Sequence, residues 1–346
     1  MYPYRVFVSY SRSDERRAAR VRAYLSALGA RPMSDVDLPA GQPFTEEIKS
    51  KIAHAHVFMP LLTTHSGERP WVHQEIGYAM GLGVPILPLA LGALPEGLAE
   101  QLHAVTLSPD LENLGDRLRA ADLQALVSRA QETSCAAFQS AEELHERTRL
   151  LVSYARSARR LGGAGRVRQR LAFSSFSLPN KRITHPDWDK REGIHKRSPE
   201  VRELLRQERE VMEEHAREAG CDLILDPSVS ADRHGPEATA VRLRILVDFL
   251  KSIPDDKVVV VTQRGEIQGS LIMIDDWFVA EAVVPHYGLN YTQTIFTRHA
   301  ATCLSKMQKF DRLLKELLSD SGLRPEHSRV AAIETLEEMM EGLGRS

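Results

Sequence analysis

VFVSYSRSD, residues 6–14, decides the fold of the first part of the chain. Its first five residues predict a short buried strand, and the polar residues that follow predict a turn. Ala18, Val21 and Leu25 then come at helical spacing, and Gly29 stands where a helix C-terminal cap is expected. The stretch therefore predicts a strand that is followed directly by a helix.

The same alternation continues to about residue 107. Helical patterns cover 44–54 and 71–80, apolar runs at 57–62 and 84–90 predict further strands, and a short strand is expected near 104–107. Strands and helices in this order predict a parallel sheet with helices on both faces. We therefore expect an α/β domain at residues 1–125.

A second α/β region is expected farther along. Residues 126–172 have a helical pattern that ends in the Gly-rich run LGGAG (161–165), which indicates a linker. Residues 173–346 again alternate, which predicts a C-terminal α/β domain. The helices are expected at 199–219, 238–252, 300–318 and 326–343, and the strands at 222–225, 257–262, 268–274, 277–284 and 291–296.

Composition narrows the class of protein. The 346 residues are 42% apolar and 27% charged, which is typical of globular chains. The apolar stretch at 86–91 is far shorter than the roughly 20 residues of a membrane-spanning helix. No secretory signal is evident at the N-terminus, so the cytoplasm is the expected location and no membrane partner is expected. Cys135, Cys221 and Cys303 form no CxxC pair, which favours reduced thiols over a disulfide framework or a zinc site.

The net charge of −2 hides an uneven distribution. Residues 156–197 contain twelve Lys/Arg and three acidic residues, so this basic segment carries +9. Clustered Lys/Arg attracts phosphate, which makes nucleic acid one conceivable partner. The segment has no recognised nucleic-acid fold, and its side chains can instead pair with the acidic remainder. Nucleic-acid binding is the less favoured alternative.

Residues 4–125 resemble a bacterial Toll/interleukin-1 receptor (TIR) domain, which has a flavodoxin-like parallel sheet. Four motifs in register support the resemblance: VFVSYSRSD (6–14), the loop DVDLPAGQPF (35–44), IAHAHVFMPLL (52–62), and HSGERPWVHQE (65–75). The last contains Trp71 and Glu75 in the Trp-x-x-x-Glu pattern of family members that cleave NAD. The resemblance therefore implies an NAD+ glycohydrolase, with Glu75 as its catalytic residue.

A single carboxylate is chemically sufficient for this reaction. Glycoside hydrolysis usually needs two, because the leaving oxygen must be protonated while the oxocarbenium-like sugar is stabilised. The nicotinamide of NAD+ is already cationic and leaves as a neutral molecule, so no general acid is required. One carboxylate beside the ribose can supply the electrostatic stabilisation. The alternative for Glu75 is a solvated side chain on an amphipathic helix.

The other predicted substrate-binding residues lie around the expected carboxyl edge of the sheet, where ligands bind in open α/β folds. Trp71 and Glu75 are four residues apart, which places them on one helix face. Phe7 can equally be a core residue, and the loop 35–44 can be an ordinary surface loop. The predicted contacts are Phe7, Ser9, Ser11, Asp37, Ser66 and Trp71. No Gly-x-Gly-x-x-Gly follows Tyr10 and no P-loop is present, so NAD+ is expected as a substrate and no bound cofactor is expected.

The C-terminal half matches no family with confidence. Its alternation faintly resembles phospholipase-D-like proteins, but it has no His-x-Lys signature, so we expect a sensing or assembly domain rather than a second enzyme. Polar clusters at 263–266, 275–277 and 291–299 could hold a ligand, although 275–276 can simply form a hairpin turn. His185, Asp187, Asp189 and His195 fit no standard metal spacing, and no metal is expected.

We therefore expect a TIR-domain NAD+ glycohydrolase or cyclase that is controlled by its C-terminal domain. The resemblance implies assembly into homo-oligomers through the TIR domain and a role in bacterial antiviral defence. The activating ligand is unidentified, and a nucleotide is one candidate. The rival functions are a non-catalytic TIR scaffold for protein-protein signalling, for which Glu75 is dispensable, and a nucleic-acid-triggered sensor.

Overall fold

The computed structural model describes residues 2–34, 46–67, 70–92, 103–133, 138–141, 144–171, 174–178, 199–227, 236–263, 270–283 and 293–343. The chain divides into two compact units. Unit 1 comprises Met1–Ala137 and Arg298–Ser305, and unit 2 comprises Phe138–Thr297 and Lys306–Ser346. The loop 35–44, which contains Asp37, and the His185–His195 cluster lie outside the described residues.

Unit 1 alternates short strands and helices, as its sequence pattern predicts. Its strands are β1 (Arg5–Ser9), β2 (Arg31–Met33), β3 (Val57–Leu62), β4 (Leu89–Leu91) and β5 (Val105–Leu107). Its helices are α1 (Glu15–Ala27), α2 (Glu46–Ala53), α3 (Thr64–Gly67), α4 (Pro70–Gly81), α5 (Leu114–Arg117) and α6 (Ala120–Thr133). The N-terminal α/β prediction is confirmed.

The five strands of unit 1 form a parallel sheet in the order β2-β1-β3-β4-β5. β1 and β3 occupy the middle, and both are buried along their whole length because helices cover both faces of a parallel sheet. The expected strand at 84–90 is shorter than the sequence pattern predicts. Only Leu89–Leu91 pairs regularly, and Ile86 forms an isolated bridge with Phe58.

Helices α2 and α4 pack on one face of this sheet. Their apolar side chains form a cluster with the strands, and Phe7 and Phe58 stack at its centre with ring centroids 5.8 Å apart. The buried members of the cluster are Phe7, Ile48, Ile52, Ala55, Phe58, Leu62, Val72, Ile76, Ala79 and Val84. This packing fixes α4 against β1 and β3.

Unit 2 contains a second, mixed sheet. Its strands are β6 (Phe138–Ala141), β7 (Val167–Leu171), β8 (Cys221–Leu225), β9 (Val258–Thr262), β10 (Leu271–Ile274), β11 (Phe278–Val283) and β12 (Gln293–Thr297). Its helices are α7 (Leu144–Gly162), α8 (Pro199–Ala219), α9 (Pro236–Ser252), α10 (Ala300–Asp320), which begins within unit 1, and α11 (Pro325–Leu343).

The order of this sheet is β6-β12-β11-β10-β7-β8-β9. β7, β8 and β9 are parallel, whereas β10, β11, β12 and β6 pair antiparallel. Helix α7 packs along α8. The ring of its Tyr154 is tilted relative to Phe278 and meets Phe296 in an edge-to-face contact. The 144–162 helix is therefore part of the core of unit 2.

The last strand of the sheet, β9, is an edge strand with the sequence VVVVT. The final helix α11 packs against it, and the backbone N–H of Val260 donates a 3.2 Å hydrogen bond to the Ser328 hydroxyl. The Ser328 hydroxyl in turn donates to the carbonyl of Pro325. A side chain of α11 thus occupies a hydrogen-bonding position that a further strand would use.

Among the described residues, no helix is both long and apolar enough to cross a bilayer.

Candidate functional site

The candidate site lies where β1 and β3 end and α4 passes over them. Ser9 is the last residue of β1, Thr63 directly follows β3, and Glu75 lies in the middle of α4. Ligands of open α/β folds bind outside the carboxyl ends of the strands. The residues that the Trp-x-x-x-Glu motif and the first strand contribute therefore meet at the expected edge.

Local sequence explains how α4 presents Glu75. Pro70 is the first helical residue, where a missing N–H costs nothing. Val72, Ile76 and Ala79 recur at helical spacing and are buried in the cluster with Phe7. Glu75 precedes Ile76, so its side chain leaves the helix next to this apolar face and towards the sheet.

Glu75 is a buried carboxylate. Its residue is 1% exposed, which excludes the solvated side chain that the sequence left as an alternative. Its Oε2 accepts a hydrogen bond from the Ser9 hydroxyl. Desolvating a carboxylate costs free energy unless hydrogen bonds or charges compensate. A buried carboxylate at a ligand-binding edge is therefore a candidate for function.

Phe7 and Trp71 have surroundings that differ from each other. Phe7 is fully buried and stacked on Phe58, which is the setting of a core residue. Trp71 is only half-buried, and it packs on the edge of the same apolar cluster, one helical turn before Glu75. Of these two aromatic side chains, only Trp71 has surface left for a ligand.

Ser66 is committed to its own turn. Its hydroxyl accepts a 2.8 Å hydrogen bond from the backbone N–H of Thr63 and donates a 2.9 Å hydrogen bond to the carbonyl of the same residue. The residue is 3% exposed. These bonds close the turn between β3 and α3, so Ser66 shapes the rim of the site. Its contact with a substrate stays a prediction.

Asp14 joins this edge, and the sequence analysis did not single it out. Its buried carboxylate accepts a 2.6 Å hydrogen bond from the Thr63 hydroxyl and forms a 2.7 Å ion pair with Arg17. Asp14 also ends the 3-10 turn that begins at Arg12. The signal was present as the last residue of VFVSYSRSD, but its partner is 49 positions away in the sequence.

Ser11 is buried between these features. It precedes the 3-10 turn Arg12–Asp14 as its N-cap residue, yet its side chain makes no capping hydrogen bond. Its hydroxyl has no hydrogen-bond partner within the described part of the chain. An unsatisfied buried hydroxyl is unfavourable, and a ligand hydroxyl is one group that could satisfy it. Ser11 is therefore the strongest of the predicted contacts besides Glu75.

Of the polar positions predicted in the C-terminal half, 264–266 and 291–292 lie outside the described residues, whereas 275–277 and His299 make internal contacts. Trp277 and Asp276 are buried, and Asp275 adopts a positive φ of 40° in the turn between β10 and β11. The Nε2 of His299 lies 2.9 Å from the carbonyl oxygen of Gly83, and burial lowers the pKa of this imidazole. The turn at 275–277 is thus the hairpin turn that the sequence offered as an alternative.

Two arginines of the basic segment, Arg166 and Arg168, are paired with acidic side chains of unit 2. Arg166 forms a bidentate pair with Asp222, at 2.6 and 2.7 Å. Arg168 is buried and lies 2.7 Å from Asp311 and 3.0 Å from Asp275. The hydrogen bonds to these carboxylates raise the pKa of both arginines, although burial acts in the opposite direction. Their charge is compensated within the fold.

A buried polar cluster that sequence reasoning missed lies under α8. The Ser175 hydroxyl donates a 2.6 Å hydrogen bond to the Glu208 carboxylate, and the Gln169 amide donates a 3.0 Å hydrogen bond to the Ser175 hydroxyl. The neighbouring Arg209 lies over the ring of Phe249, and burial lowers the pKa of its guanidinium to about 10. Gln169, Ser175 and Glu208 satisfy one another, which is the arrangement of a structural network, whereas Arg209 pairs with Glu213 at 3.0 Å.

Comparison with known proteins identifies the N-terminal region. Residues 6–131 match the family model described as the TIR domain. No curated protein matches the chain. Among solved structures, TrmBL2, described as an archaeal chromatin protein with a novel mode of DNA binding, is similar at 10% identity and a TM-score of 0.27. The match covers 57% of this chain and 59% of that one, and at this TM-score it supports no conclusion.

Proposed function

Because residues 6–131 form a TIR domain, we propose that the protein is a TIR NAD+ glycohydrolase in which Glu75 is the catalytic residue. The observation that carries the proposal is the buried Glu75 carboxylate at the carboxyl edge of the sheet, next to the β1 exit. TIR domains include enzymes that cleave NAD, and the Trp-x-x-x-Glu pattern of those members is intact at Trp71 and Glu75.

The proposed reaction breaks the bond between the nicotinamide nitrogen and the ribose carbon. The bonding electrons return to the pyridinium ring, so nicotinamide leaves neutral and the ribose acquires oxocarbenium character. The Glu75 carboxylate stabilises this positive charge in surroundings of low dielectric constant, where a negative charge acts more strongly than in water. Water then adds to the ribose carbon and loses a proton, which gives ADP-ribose. Attack by an adenine nitrogen instead would give a cyclic product.

The remaining residues have supporting roles in this proposal. Trp71 offers the edge of its indole to a planar ring of the substrate, since it is a half-buried aromatic residue one helical turn before Glu75. Ser11 offers a buried hydroxyl. Phe7 stacks on Phe58 in the core beneath the site. Ser66 stabilises the turn after β3 through its hydrogen bond with Thr63. Asp37 belongs to the loop that we propose to reach the pocket of a neighbouring copy.

Control of the activity is proposed for unit 2. TIR domains commonly self-associate, and we propose that assembly of the TIR domains, triggered by a ligand of the C-terminal domain, activates cleavage. A nucleotide is the candidate ligand, and antiviral defence in bacteria is the proposed role. Direct activation by nucleic acid is less favoured, because Arg166 and Arg168 of the basic segment are paired with aspartates.

The test is NAD+ consumption with nicotinamide release by the full chain at high protein concentration. Glu75→Gln is compared with wild type and with Gln74→Ala, which alters the exposed neighbour on the same helix. Candidate nucleotides and nucleic acids are added in turn. We expect cleavage by wild type and Gln74→Ala and a loss of at least about 100-fold in Glu75→Gln, the order found when one group that stabilises transition-state charge is removed.

Two results would contradict the proposal. Cleavage that persists in Glu75→Gln would assign the chemistry to another residue. A protein that assembles but does not cleave NAD+ under any of these conditions would instead support the non-catalytic scaffold.

A further inference from the structure

The hydrogen bond between Ser9 and Glu75 links two sequence-remote residues of the candidate site. The Ser9 hydroxyl donates to Oε2 of Glu75, and the two residues are 2% and 1% exposed. They lie 66 positions apart in the sequence. Ser9 is a predicted substrate contact, and in the structure its hydroxyl contacts the carboxylate of Glu75.

Strand geometry dictates this contact. Side chains alternate along a strand, so Ser9 points to the same face of β1 as Phe7, which packs against α4 through Val72 and Ile76. β1 lies between β2 and β3, and the backbone of Ser9 pairs with Pro60 of β3. The hydroxyl therefore comes from a buried strand with neighbours on both sides, and only its χ1 torsion remains to be set. Groups on such elements are placed more precisely than groups on loops.

The chemistry of the proposed reaction gives this hydrogen bond a use. Glu75 can stabilise a developing positive charge only in its ionised form and only if it is aimed at the ribose. A hydrogen bond donated to a carboxylate favours the ionised form. It also fixes the orientation of the group, and a carboxylate has about four acceptor sites, so a bond from Ser9 is compatible with a further bond from a ribose hydroxyl.

Ser11 differs from Ser9 in this respect. The two residues are separated by Tyr10 at the exit of β1, and both are buried. The Ser9 hydroxyl is bound to Glu75, whereas the Ser11 hydroxyl has no hydrogen-bond partner among the described residues and does not cap the turn that it begins. Replacing Ser9 and replacing Ser11 therefore compares a serine bonded to Glu75 with a nearby buried serine that is not.

We propose that Ser9 is a positioning residue, which orients the Glu75 carboxylate and keeps it ionised, and that of these two serines only Ser11 binds the substrate. This inference rests on the proposed NAD+ glycohydrolase function. It assigns Ser9 to the catalytic step and Ser11 to substrate affinity. Replacement of the two serines therefore affects different kinetic constants.

Steady-state kinetics on the full chain tests this division. In Ser9→Ala we expect kcat to fall by about 10- to 100-fold with KM within about twofold of wild type, because a small misplacement of a catalytic group costs up to about 100-fold in rate. In Ser11→Ala we expect KM to rise by about 3- to 10-fold with kcat retained, the value of one hydrogen bond. Ser9→Thr keeps the hydroxyl and should restore much of kcat. A purely structural role for Ser9 would not produce this rescue.

A second measurement does not depend on activity. Glutamate side chains are labelled with 13C at the carboxyl carbon, and the signal of Glu75 is identified as the one that Glu75→Gln lacks. The titration of this signal is then followed by NMR in wild type and in Ser9→Ala. We expect protonation of the carboxyl at a higher pH in Ser9→Ala, because the ionised form has lost a donor. If Ser9→Ala is poorly folded, Ser9→Cys, which is close in size and a weaker donor, takes its place.

The outcomes separate this inference from the proposed function. If Glu75-dependent cleavage is present but Ser9→Ala raises KM with unchanged kcat, or behaves as wild type, the positioning role is overturned and the proposed function stands. An unchanged titration of Glu75 in Ser9→Ala overturns it equally. If wild type does not cleave NAD+, the proposed function fails, and with it the assignment of Ser9 to catalysis.

Discussion

The Thr63 hydroxyl donates a 2.6 Å hydrogen bond to the Asp14 carboxylate, and this bond joins the chain segments that leave β1 and β3. Both residues are buried. The Ser9–Ser11 segment lies on one side of this bond and the Ser66 turn on the other. The backbone N–H of Asp14 also donates 2.7 Å to the carbonyl of Ser11. The bond therefore fixes the separation of the two chain segments that follow the central strands β1 and β3.

Replacement of Thr63 by valine tests this link. Thr63→Val keeps the shape of the side chain and removes the donor, which leaves the buried Asp14 carboxylate with one fewer hydrogen bond. We expect the free energy of unfolding to fall by about 1–3 kcal/mol, the cost of removing one partner from a buried charged group. Urea denaturation of the full chain measures it. Thr63→Ser keeps the donor and should lose clearly less, and equal stability of Thr63→Val and wild type would contradict the assignment.

Removal of Arg168 should destabilise unit 2. Arg168→Ala leaves Asp275 and Asp311 without their contact to the buried guanidinium. Breaking buried ion pairs is costly, but these two carboxylates are 36% and 37% exposed, so solvent screens part of the loss. We expect a decrease of about 1–3 kcal/mol in the free energy of unfolding. Arg156→Ala, at an exposed position bonded to Gln207, is the matched control and should change it by less than about 0.5 kcal/mol.

Gly162 is required by close packing. A Cβ atom at this last residue of α7 would lie 2.0 Å from Cζ2 of the buried Trp277. We expect Gly162→Ala to lower the free energy of unfolding by at least about 1–3 kcal/mol, since overpacking forces neighbours to move. Gly342→Ala is the control, because a Cβ there meets nothing within 4 Å. It should be neutral or stabilise α11 by up to about 1 kcal/mol. Thermal unfolding followed by circular dichroism distinguishes the two, and similar shifts would contradict the packing argument.

Acid pH should destabilise unit 2 through His215. The backbone N–H of Gly165 donates a 2.9 Å hydrogen bond to Nδ1 of His215. The proton of the neutral imidazole is therefore on Nε2, which donates to the Ala155 carbonyl. Burial lowers the pKa of His215 in the folded chain. The unfolded chain therefore binds more protons once the pH falls below about 6.5, and stability present above that pH is lost as it falls further.

The comparison of wild type with His215→Gln isolates this contribution. Urea denaturation between pH 5 and pH 8 gives the free energy of unfolding of both proteins. We expect wild type to lose more stability than His215→Gln as the pH falls below 6.5. Parallel pH dependences would show that His215 does not contribute.

Sequence reasoning identified the elements that have strong local patterns. The apolar run at Val57–Leu62 and the amphipathic helix Pro70–Gly81 were predicted to within a residue or two. β2 was missed because it has three residues, one of them Pro32. β6, at Phe138–Ala141, was missed because it is short and interrupts an otherwise helical pattern.

β7 shows why local pattern was insufficient. Its sequence VRQRL falls in the predicted linker 126–172, because it follows the Gly-rich run 161–165 within the basic segment. The strand pairs with β8 and β10, and its Arg168 bonds to aspartates that are 107 and 143 positions away in the sequence. Contacts at such separations depend on the tertiary structure and leave no periodic signal in the strand itself.

The site was predicted in part for the same reason. Trp71 and Glu75 share a helix, so their common face follows from their spacing, and Ser9 ends a recognisable strand. That Ser9 contacts the carboxylate of Glu75 depends on the packing of α4 on β1. The Asp14–Thr63 bond depends on the pairing of β1 and β3. Such contacts become visible only when the sheet order is known.

The bond from Val260 to Ser328 has a consequence for solubility. Four consecutive valines at a sheet edge, Val258–Val261, are a typical template for intermolecular strand pairing and cross-β aggregation. Helix α11 covers this edge and occupies the outward N–H of Val260. Helix α11 therefore prevents this edge from pairing with a β-strand of another copy of the chain. Loss of this helix would therefore expose the edge of β9 and favour aggregation into fibrils or inclusion bodies.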